Sequence, residues 1–233
     1  TSGENKSVKV EVITQSKNIE IPFYKCTDKD NKNYATVKIG SQFWMAENLA
    51  YLPTVYPSSN GSNTEPRYYV YDYQGSDAAA AKQRANYSTY GVLYNWLAAK
   101  AACPPGWHLP TNAEWTALEN YLIANGFNYD GTPTGDKIAI SLAATTNWNT
   151  YSGTGTIGNN LSLNNKSGFS ALPGGSRYYN GYFYEIDYYG YWWSSTESST
   201  NSAWFRSLYC GSYNVYRYYI DKGYGFSVRC VRD

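Results

Sequence analysis

The amino-acid sequence predicts a fold that combines α-helices in the middle of the chain with antiparallel β-strands near its end. Helical signals, including a capping box and an apolar stripe, occur between residues 90 and 126. In residues 176–233, apolar and polar residues alternate between glycine-containing turns, which is typical of antiparallel strands. With 233 residues the chain can bury a substantial core, either as one large domain or as two small ones.

Short strand patterns occupy the first part of the chain. Apolar residues alternate at 8–12 and again at 19–23, which predicts two strands within residues 1–24. We interpret residues 1–24 as a leading module or tether, and residues 25–233 as the main domain. A further strand is predicted at 36–40, where the sequence reads TVKIG.

The polar turn at 27–33, TDKDNKN, superficially resembles a calcium-binding loop. It lacks the glycine at the sixth place and the closing glutamate of an EF-hand. The cysteines and the single histidine also lack the spacing of a zinc site. We therefore expect neither a metal ion nor another cofactor.

The clearest local signal is the start of a helix near residue 111. Thr111, followed three residues later by Glu114, forms a capping box in which each side chain satisfies a free backbone amide. An apolar stripe and a stop signal follow. The stripe consists of Trp115, Leu118 and Leu122, and the stop signal of Asn125 and Gly126.

Three other helical segments are predicted from composition and spacing. Residues 78–85, AAAAKQRA, predict one or two helical turns, and residues 135–144 predict a short helix. Residues 90–102 predict a helix that faces the core, whereas 145–167 read as a loop rich in Thr, Asn and Gly. The helical spacing in 90–102 comes from Leu93, Trp96, Leu97 and Lys100.

The last quarter of the chain is unusually rich in tyrosine. Thirteen of the 27 tyrosines lie in residues 176–233, mostly singly or in pairs among Ser, Gly and Asn. A buried hydroxyl without a partner costs roughly 1–3 kcal/mol, so a dozen closely spaced phenols favour a partly exposed surface over a core. The same mixture of residues is typical of antibody paratopes, where tyrosine provides contact area at little entropic cost.

Charge and hydropathy narrow the class of partner. The chain has 19 Lys plus Arg against 18 Asp plus Glu, a balance that does not point to nucleic acid or to a charged membrane surface. No apolar stretch approaches a membrane span, and the N-terminus lacks a signal pattern, so we expect a signal to be absent or removed. The composition suits a secreted or surface domain.

The single histidine and the four cysteines have weak chemical signals. His108 stands beside two prolines and Trp107, and no Ser or Cys nucleophile motif accompanies it, so we expect a structural role. Four cysteines allow three pairings, between which the sequence alone does not choose, and free buried thiols are an alternative. The cysteines are Cys26, Cys103, Cys210 and Cys230.

Six motifs in order resemble a known family. They are TVKIGSQFWMAENL, YGVLYNW, GWHLPTNAEW, SGFSALPGG, WWSST and GFSVRCVRD. Together they resemble the Fibrobacter succinogenes major paralogous domain from about Asp28 to Asp233. That family belongs to the wider C-type-lectin-like fold, which also includes the formylglycine-generating enzymes.

The resemblance implies a compact α+β domain of the C-type-lectin-like class. Such a domain has two main helices, a small twisted antiparallel sheet, long loops and chain termini that lie close together. It also implies a disulfide between Cys103 and Cys230. Cys26 and Cys210 have no counterpart in the family.

A narrower resemblance concerns the tyrosine-rich segment. It is similar to the variable proteins of diversity-generating retroelements, whose last segment is rewritten at adenines, often in AAC codons. Randomising the first two bases of such a codon yields Asn, Tyr, Ser, Asp, Gly, Cys, Ile and Phe, but never Lys, Glu, Gln, Met or Trp. On this interpretation the positions of the variable set include Ser207, Cys210, Ile220 and Tyr224. Residues outside the set would be framework, namely Glu185, Trp192, Trp193, Glu197, Trp204 and Lys222.

We expect a ligand-binding protein without enzymatic activity, displayed on a bacterial surface, a pilus tip, a lipoprotein or a phage tail fibre. Its ligand would be a protein or a glycan on another cell or host surface. The support beneath the binding residues would come from Trp107, Trp115, Trp193, Trp204 and the Cys103–Cys230 link. The expected binding residues are Tyr178, Tyr179, Tyr182, Tyr184, Tyr188, Tyr189, Tyr191, Asn201, Phe205, Tyr209, Tyr213, Asn214, Tyr216, Tyr218, Tyr219 and Asp221.

Two alternatives stay open at this point. One is a calcium-independent carbohydrate-binding module, in which tyrosine and tryptophan rings stack on sugars, because the calcium-ligand motifs of lectins of this fold are missing. The other is an enzyme similar to the formylglycine generators. That alternative is weaker because Cys210 is the sole cysteine in the relevant segment and has no neighbouring base or metal ligand.

Overall fold

A computed structural model of the chain describes residues 25–232. The strands predicted at 8–12 and 19–23, and the interpretation of 1–24 as a tether, lie outside the described residues. The described part is of the α+β class, with short helices and small antiparallel sheets. Within it, no helix has the length and apolar character needed to cross a membrane.

The described residues contain five α-helices, of which two exceed six residues. The helices are α1 (Ala78–Lys82), α2 (Ala85–Tyr90), α3 (Trp96–Ala102), α4 (Asn112–Ala124) and α5 (Ala139–Leu142). A single 3₁₀ turn, Leu161–Leu163, interrupts the loop predicted at 145–167.

Ten strands form two three-stranded and two two-stranded sheets in residues 25–232, so the β structure is divided over several sheets. The strands are β1 (Thr36–Ile39), β2 (Gln42–Met45), β3 (Tyr68–Tyr69), β4 (Leu93–Tyr94), β5 (Gly174–Arg177), β6 (Phe183–Ile186), β7 (Tyr189–Glu197), β8 (Ser202–Tyr209), β9 (Tyr216–Asp221) and β10 (Val231–Arg232). The sheet orders are β1-β2-β10, β3-β4, β5-β6 and β7-β8-β9, all antiparallel.

The first sheet joins the two ends of the described chain. β10 pairs with β2, which places Val231 opposite Trp44, and β1 pairs with β2 on its other side. The strand predicted at 36–40 is confirmed as β1. A disulfide links Cys103 to Cys230, as the resemblance implies, and fixes the end of α3 to the segment before β10.

Helix α4 forms as its sequence predicts. The Thr111 hydroxyl accepts from the Glu114 amide at 3.1 Å, and the Thr111 amide donates to the Glu114 carboxylate at 2.7 Å, which completes the capping box. The predicted stripe is buried, and the helix ends with Asn125 as its C-cap. The indole of Trp115 donates to the carbonyl of Trp193 at 3.4 Å, which ties α4 to β7.

The helix predicted at 90–102 is wrong in its first half. Gly91 has a left-handed φ of 76°, and residues 93–94 pair with β3 as strand β4. The helix begins only after Asn95, whose side chain accepts from the amide of Ala98 and caps α3. The apolar spacing is real, but the cap and the glycine divide it between a strand and a helix.

The helical turns expected at 78–85 are confirmed as α1, which the unpredicted α2 follows. Two other predictions need correction. The helix expected at 135–144 forms only at residues 139–142, as α5. Residues 225–230, GFSVRC, are not a regular strand. Their backbone groups bond to several separate segments, with Phe226 pairing with Tyr94 and Ser227 bridging to Trp192.

Two clusters of buried apolar residues form the core, and β7 contributes to both. Because side chains alternate along a strand, Trp192 enters one cluster and Trp193 the other. Cys26 and Cys210 are buried free thiols, and burial together with nearby Asp28 raises the pKa of Cys26 to about 12. Burial also raises the pKa of Cys210, so both thiols are protonated at neutral pH, and they form no disulfide with each other.

Candidate functional site

The sheet β7–β8–β9 carries much of the tyrosine-rich segment, and its register decides which side chains share a face. Tyr191, Ser207 and Tyr216 lie directly opposite one another across the three strands. Side chains that are directly opposite point to the same side, so these three define one face, which we call the groove face. The neighbouring rows on the groove face are Tyr189 with Tyr209, and Trp193 with Phe205 and Tyr218.

The other face of this sheet packs against α4, and we call it the helix face. Arg206 on this face is 1% exposed, forms an ion pair with Glu119 and donates to the Asn112 side chain at 2.7 Å. Trp192 and Leu208 on the same face are buried in the core. The helix face therefore holds the sheet in place, and the groove face is left for other roles.

A groove of about 340 Å³ opens on the groove face. Its shape follows from the middle strand, where the small Ser207 stands between the taller Tyr191 and Tyr216. Eight of the ten lining residues are aromatic, which makes the groove an aromatic surface with few aliphatic groups. The lining of this aromatic groove consists of Tyr178, Tyr189, Tyr191, Phe205, Ser207, Tyr216, Tyr218, Ile220, Tyr224 and Phe226.

Stacked rings form the two walls along the strands. On one side Tyr189 stacks on Tyr209, with ring centroids 4.5 Å apart, and on Tyr191 at 5.6 Å. On the other side Tyr216 stacks on Tyr218 at 6.1 Å. Rings that already contact one another lose little conformational freedom when a ligand arrives, so the walls are preorganised.

Phe226 forms the floor of the groove. Its ring lies 4.6 Å from Trp193, 4.9 Å from Tyr191 and 5.0 Å from Phe205, centroid to centroid. Phe226 is 1% exposed, so these contacts belong to the core as well as to the groove. The floor is thus the upper layer of the hydrophobic core.

The hairpin β5–β6 and the turn after β9 close a third side. Tyr178 lies 4.9 Å from Tyr184 and 4.9 Å from Tyr224, and Tyr179 lies 5.9 Å from Tyr224. The rings of Tyr179 and Tyr182 are 71% and 64% exposed. The aromatic surface therefore continues past the groove onto this hairpin.

A carboxylate stands at the edge of the groove. The Tyr191 hydroxyl donates to Glu185 Oε2 at 2.5 Å. Glu185 and Asp187 have left-handed φ values of 69° and 65°, which is uncommon for residues other than glycine. The Asp187 side chain accepts from the Tyr90 hydroxyl at 2.5 Å, and its amide donates to the Pro173 carbonyl, so the turn that follows Glu185 at the end of β6 is fixed to the core.

Three phenols of the groove, those of Tyr189, Tyr191 and Tyr224, are neutral at physiological pH. Burial raises the pKa of Tyr189 to about 12, with the Glu185 carboxylate adding to the shift, and burial raises the pKa of Tyr224 to about 12. Burial and the hydrogen bond to Glu185 place the pKa of Tyr191 higher still. These side chains therefore offer ligands a ring face and a neutral hydroxyl.

Comparison with known families assigns the domain. The family model of the Fibrobacter succinogenes major domain matches residues 37–232, which is most of the chain. The chain belongs to this family. No curated protein and no solved structure matches the chain.

Within this Fibrobacter succinogenes major domain, six of the sixteen expected binding residues line the aromatic groove. They are Tyr178, Tyr189, Tyr191, Phe205, Tyr216 and Tyr218. Phe205 is 6% exposed and belongs to the floor. A second group contacts the lining residues or the neighbours of these residues, and consists of Tyr179, Tyr182, Tyr184, Tyr188 and Tyr209.

Five expected binding residues lie elsewhere in the domain. Tyr219 is on the helix face, where its ring lies 5.3 Å from Trp204. Tyr213 contacts Tyr129 at 5.6 Å, in the loop between β8 and β9. Asn201 lies in the turn between β7 and β8.

The remaining two have internal hydrogen-bonding roles. Asn214 donates to the Asp136 carbonyl at 2.9 Å, and Asp221 accepts from Asn63 at 2.8 Å and from the Gly223 amide at 2.8 Å. The structure therefore does not bring these two residues, or the three above, into the groove lining, because strand alternation and turn geometry place them elsewhere. The Asp221 carboxylate is nevertheless close enough to Tyr224 to raise the pKa of that phenol.

Four lining residues are absent from the expected binding residues, although three of them, Ser207, Ile220 and Tyr224, belong to the variable set, and one framework residue was misplaced. Ser207, Ile220, Tyr224 and Phe226 line the groove. Ser207 and Ile220 follow from Phe205 and Tyr218 by the two-residue period of a strand, so the alternation could have identified them. Trp204, expected beneath the surface, is half-buried on the helix face, with the Arg217 guanidinium 4.2 Å from its ring.

The polar features noted in the sequence have structural partners. Asp28 accepts from the amides of Asp30 and Lys32, both at 2.9 Å, and from the Tyr34 hydroxyl at 2.5 Å, which organises the 27–33 turn. The His108 ring contacts the Glu114 carboxylate at 2.6 Å. In residues 25–232, no three His, Cys, Asp or Glu side chains are grouped as metal ligands.

Proposed function

We propose that this protein is a binding protein that recognises its ligand through the aromatic groove. The observation that carries the proposal is the groove itself, an open surface with eight aromatic residues among ten lining residues. Exposed aromatic patches of this kind are uncommon on proteins without a binding role. The C-type-lectin-like class of the fold stays a prediction.

The physical basis of recognition is apolar contact combined with hydroxyl groups. Each aromatic side chain that a ligand covers removes roughly 150–250 Å² from water when fully buried, and tyrosine is enriched among residues that dominate binding energies. Tyr189, Tyr216 and Tyr218 line the groove, and each carries a hydroxyl. These hydroxyls can select a ligand by its donors and acceptors.

Diversification by a retroelement is the second part of the proposal. All ten lining positions hold residue types of the set that AAC codons can yield, although Phe226, in the buried floor, belongs to the family motif GFSVRCVRD. Residues outside the set have supporting roles. Trp192 and Trp193 are fully buried, and Lys222 is buried with its amine 2.9 Å from the Glu197 carboxylate. Residues that mutagenesis of AAC codons can produce line the groove, and the buried residues that it cannot produce support the scaffold. A diversified receptor needs this division between variable and fixed positions.

Two adjacent tyrosines provide a matched test. Tyr218 and Tyr219 are 57% and 61% exposed, but they lie on opposite faces of the same strand. Arrays of bacterial surface proteins and of glycans are probed with the full chain and with the Tyr218→Ala and Tyr219→Ala variants. A Ser207→Tyr variant, which fills the groove from its middle strand, serves as the third variant.

We expect at least one ligand whose affinity falls about ten-fold or more in Tyr218→Ala and Ser207→Tyr, the loss typical of a residue central to an interface. Tyr219→Ala should change the affinity less than two-fold. Thermal unfolding checks that all three variants are folded. Equal losses for both alanine variants would refute the groove as the binding site. A glycan as the sole ligand would favour the calcium-independent carbohydrate-binding module.

A further inference from the structure

Among residues 25–232, the charged side chains that act on the tyrosines of the aromatic groove are of one sign. None of its ten lining residues is basic. The Glu185 carboxylate acts on Tyr178, Tyr189 and Tyr191, and the Asp221 carboxylate acts on Tyr224. For these four tyrosines, carboxylates are the charged groups that act on the hydroxyls. An incoming ligand therefore meets ring faces and negative charge.

The basic side chains of the surrounding elements are turned away or already bound. Arg217 lies on the helix face, stacked on Trp204. Lys222 is buried and paired with Glu197. Arg177 is 2% exposed and donates to the carbonyls of Ser58 and Gly223. These three cations do not reach the groove face as free charges.

From this arrangement we propose that the aromatic groove binds a lysine or arginine side chain of a protein ligand. The inference rests on the proposed function and names the chemistry that the groove selects. A cation over aromatic faces is attracted by the ring quadrupoles, and a nearby carboxylate adds a charge partner. Glu185, in β6 beside the fixed turn at the groove edge, is the carboxylate placed to act as that partner.

Size and surroundings favour a protein over a small free amine. A volume of 340 Å³ is near the lower end of the range for ligand pockets, roughly 300–1,000 Å³, and suits a single long side chain. The rim continues outward through Tyr179, Tyr182 and Tyr218, which are 57–71% exposed. A protein loop that inserts one basic side chain would also cover these rings, whereas a small amine would leave them in water.

The test uses peptides that differ only in charge. Blocked pentapeptides Gly-Gly-X-Gly-Gly, with X as arginine, lysine, citrulline or glutamate, are titrated into the full chain and followed by tyrosine NMR signals. Citrulline has the shape of arginine without its charge. Each peptide is also titrated into Glu185→Gln, which keeps an oxygen that can accept from Tyr191, and into the matched Tyr219→Ala variant on the helix face.

We expect the arginine and lysine peptides to bind roughly ten-fold or more tightly than citrulline, and the glutamate peptide to bind most weakly. Glu185→Gln should lower the affinity for the arginine peptide about five- to ten-fold and leave the affinity for the citrulline peptide unchanged. Added salt should also lower the affinity for the arginine peptide, because it screens the attraction between the charges. Tyr219→Ala should leave all four titrations as they are.

Three results would overturn the inference. They are equal affinity for arginine and citrulline peptides, tighter binding of the glutamate peptide, and no detectable binding of the basic peptides. If the array ligand still depends on Tyr218 and Ser207 in any of these cases, the groove remains the binding site with a different specificity. Loss of that dependence as well would show that the proposed function itself is wrong.

Discussion

The Cys103–Cys230 disulfide offers the sharpest test of the scaffold on which the groove depends. A variant with both cysteines changed to alanine removes the cross-link from a chain in which the two residues are 127 positions apart. In the chain-entropy model, closing a loop of that length lowers the entropy of the unfolded chain and contributes about 5 kcal/mol at 25 °C. Measured values commonly fall below the model, so we expect the double variant to lose about 3–5 kcal/mol.

The assay is equilibrium unfolding in urea of the full chain, followed by tryptophan fluorescence. Wild-type protein in reducing agent should unfold at the same midpoint as the double variant. The matched control is Cys26→Ala, which removes a buried free thiol and keeps the disulfide. It should lose only about 1 kcal/mol and remain sensitive to reduction. A double variant within 1 kcal/mol of wild type would refute the view that the cross-link stabilises the scaffold.

Two further predictions concern charge. The folded pKa values of Tyr189 and Tyr224, about 12, lie above the ordinary value of 10.0, so the unfolded chain releases these protons first. The free energy of unfolding should therefore be unaffected by these groups below pH 10 and should fall between pH 10 and about 12. Urea unfolding at several pH values measures the free energy of unfolding, and the absorbance of tyrosinate follows the titration of the phenols in the folded protein. A titration in which all phenols of the folded protein lose their protons near pH 10 would contradict the prediction. Glu119→Ala leaves the buried Arg206 without its carboxylate and should destabilise the protein by about 3 kcal/mol in the same assay. The control Glu65→Ala removes an exposed partner of Arg67 and should change the free energy of unfolding by less than about 0.5 kcal/mol. Similar losses in the two variants would contradict the view that buried Arg206 depends on the Glu119 carboxylate.

Local signals in the sequence predicted the elements that depend on local interactions. The capping box at Thr111 and Glu114 fixes α4, because both hydrogen bonds join residues within one turn. The same kind of signal failed at 90–94, where the apolar spacing continues but Gly91 has a left-handed backbone and residues 93–94 pair with β3. That pairing partner lies more than twenty residues away, and helical spacing contains no information about it.

The candidate site was predictable in composition but only partly in geometry. The tyrosine-rich segment indicated an exposed aromatic surface, and most of its rings do contact one another around the groove. The exclusion of Tyr219 requires the register of β8 and β9, since a shift by one residue would exchange it with Tyr218. The floor at Phe226 also required the structure, because residues 225–230 bond to several segments instead of forming a strand.

Hydroxyl-radical footprinting of the protein bound to its array ligand tests most directly whether the aromatic groove is the recognition surface. Oxidation of Tyr218 should fall strongly on binding, whereas the equally exposed Tyr219 and its neighbour Trp204 should be oxidised as in the free protein. Protection of Tyr219 and Trp204 with no protection of Tyr218 would contradict the account.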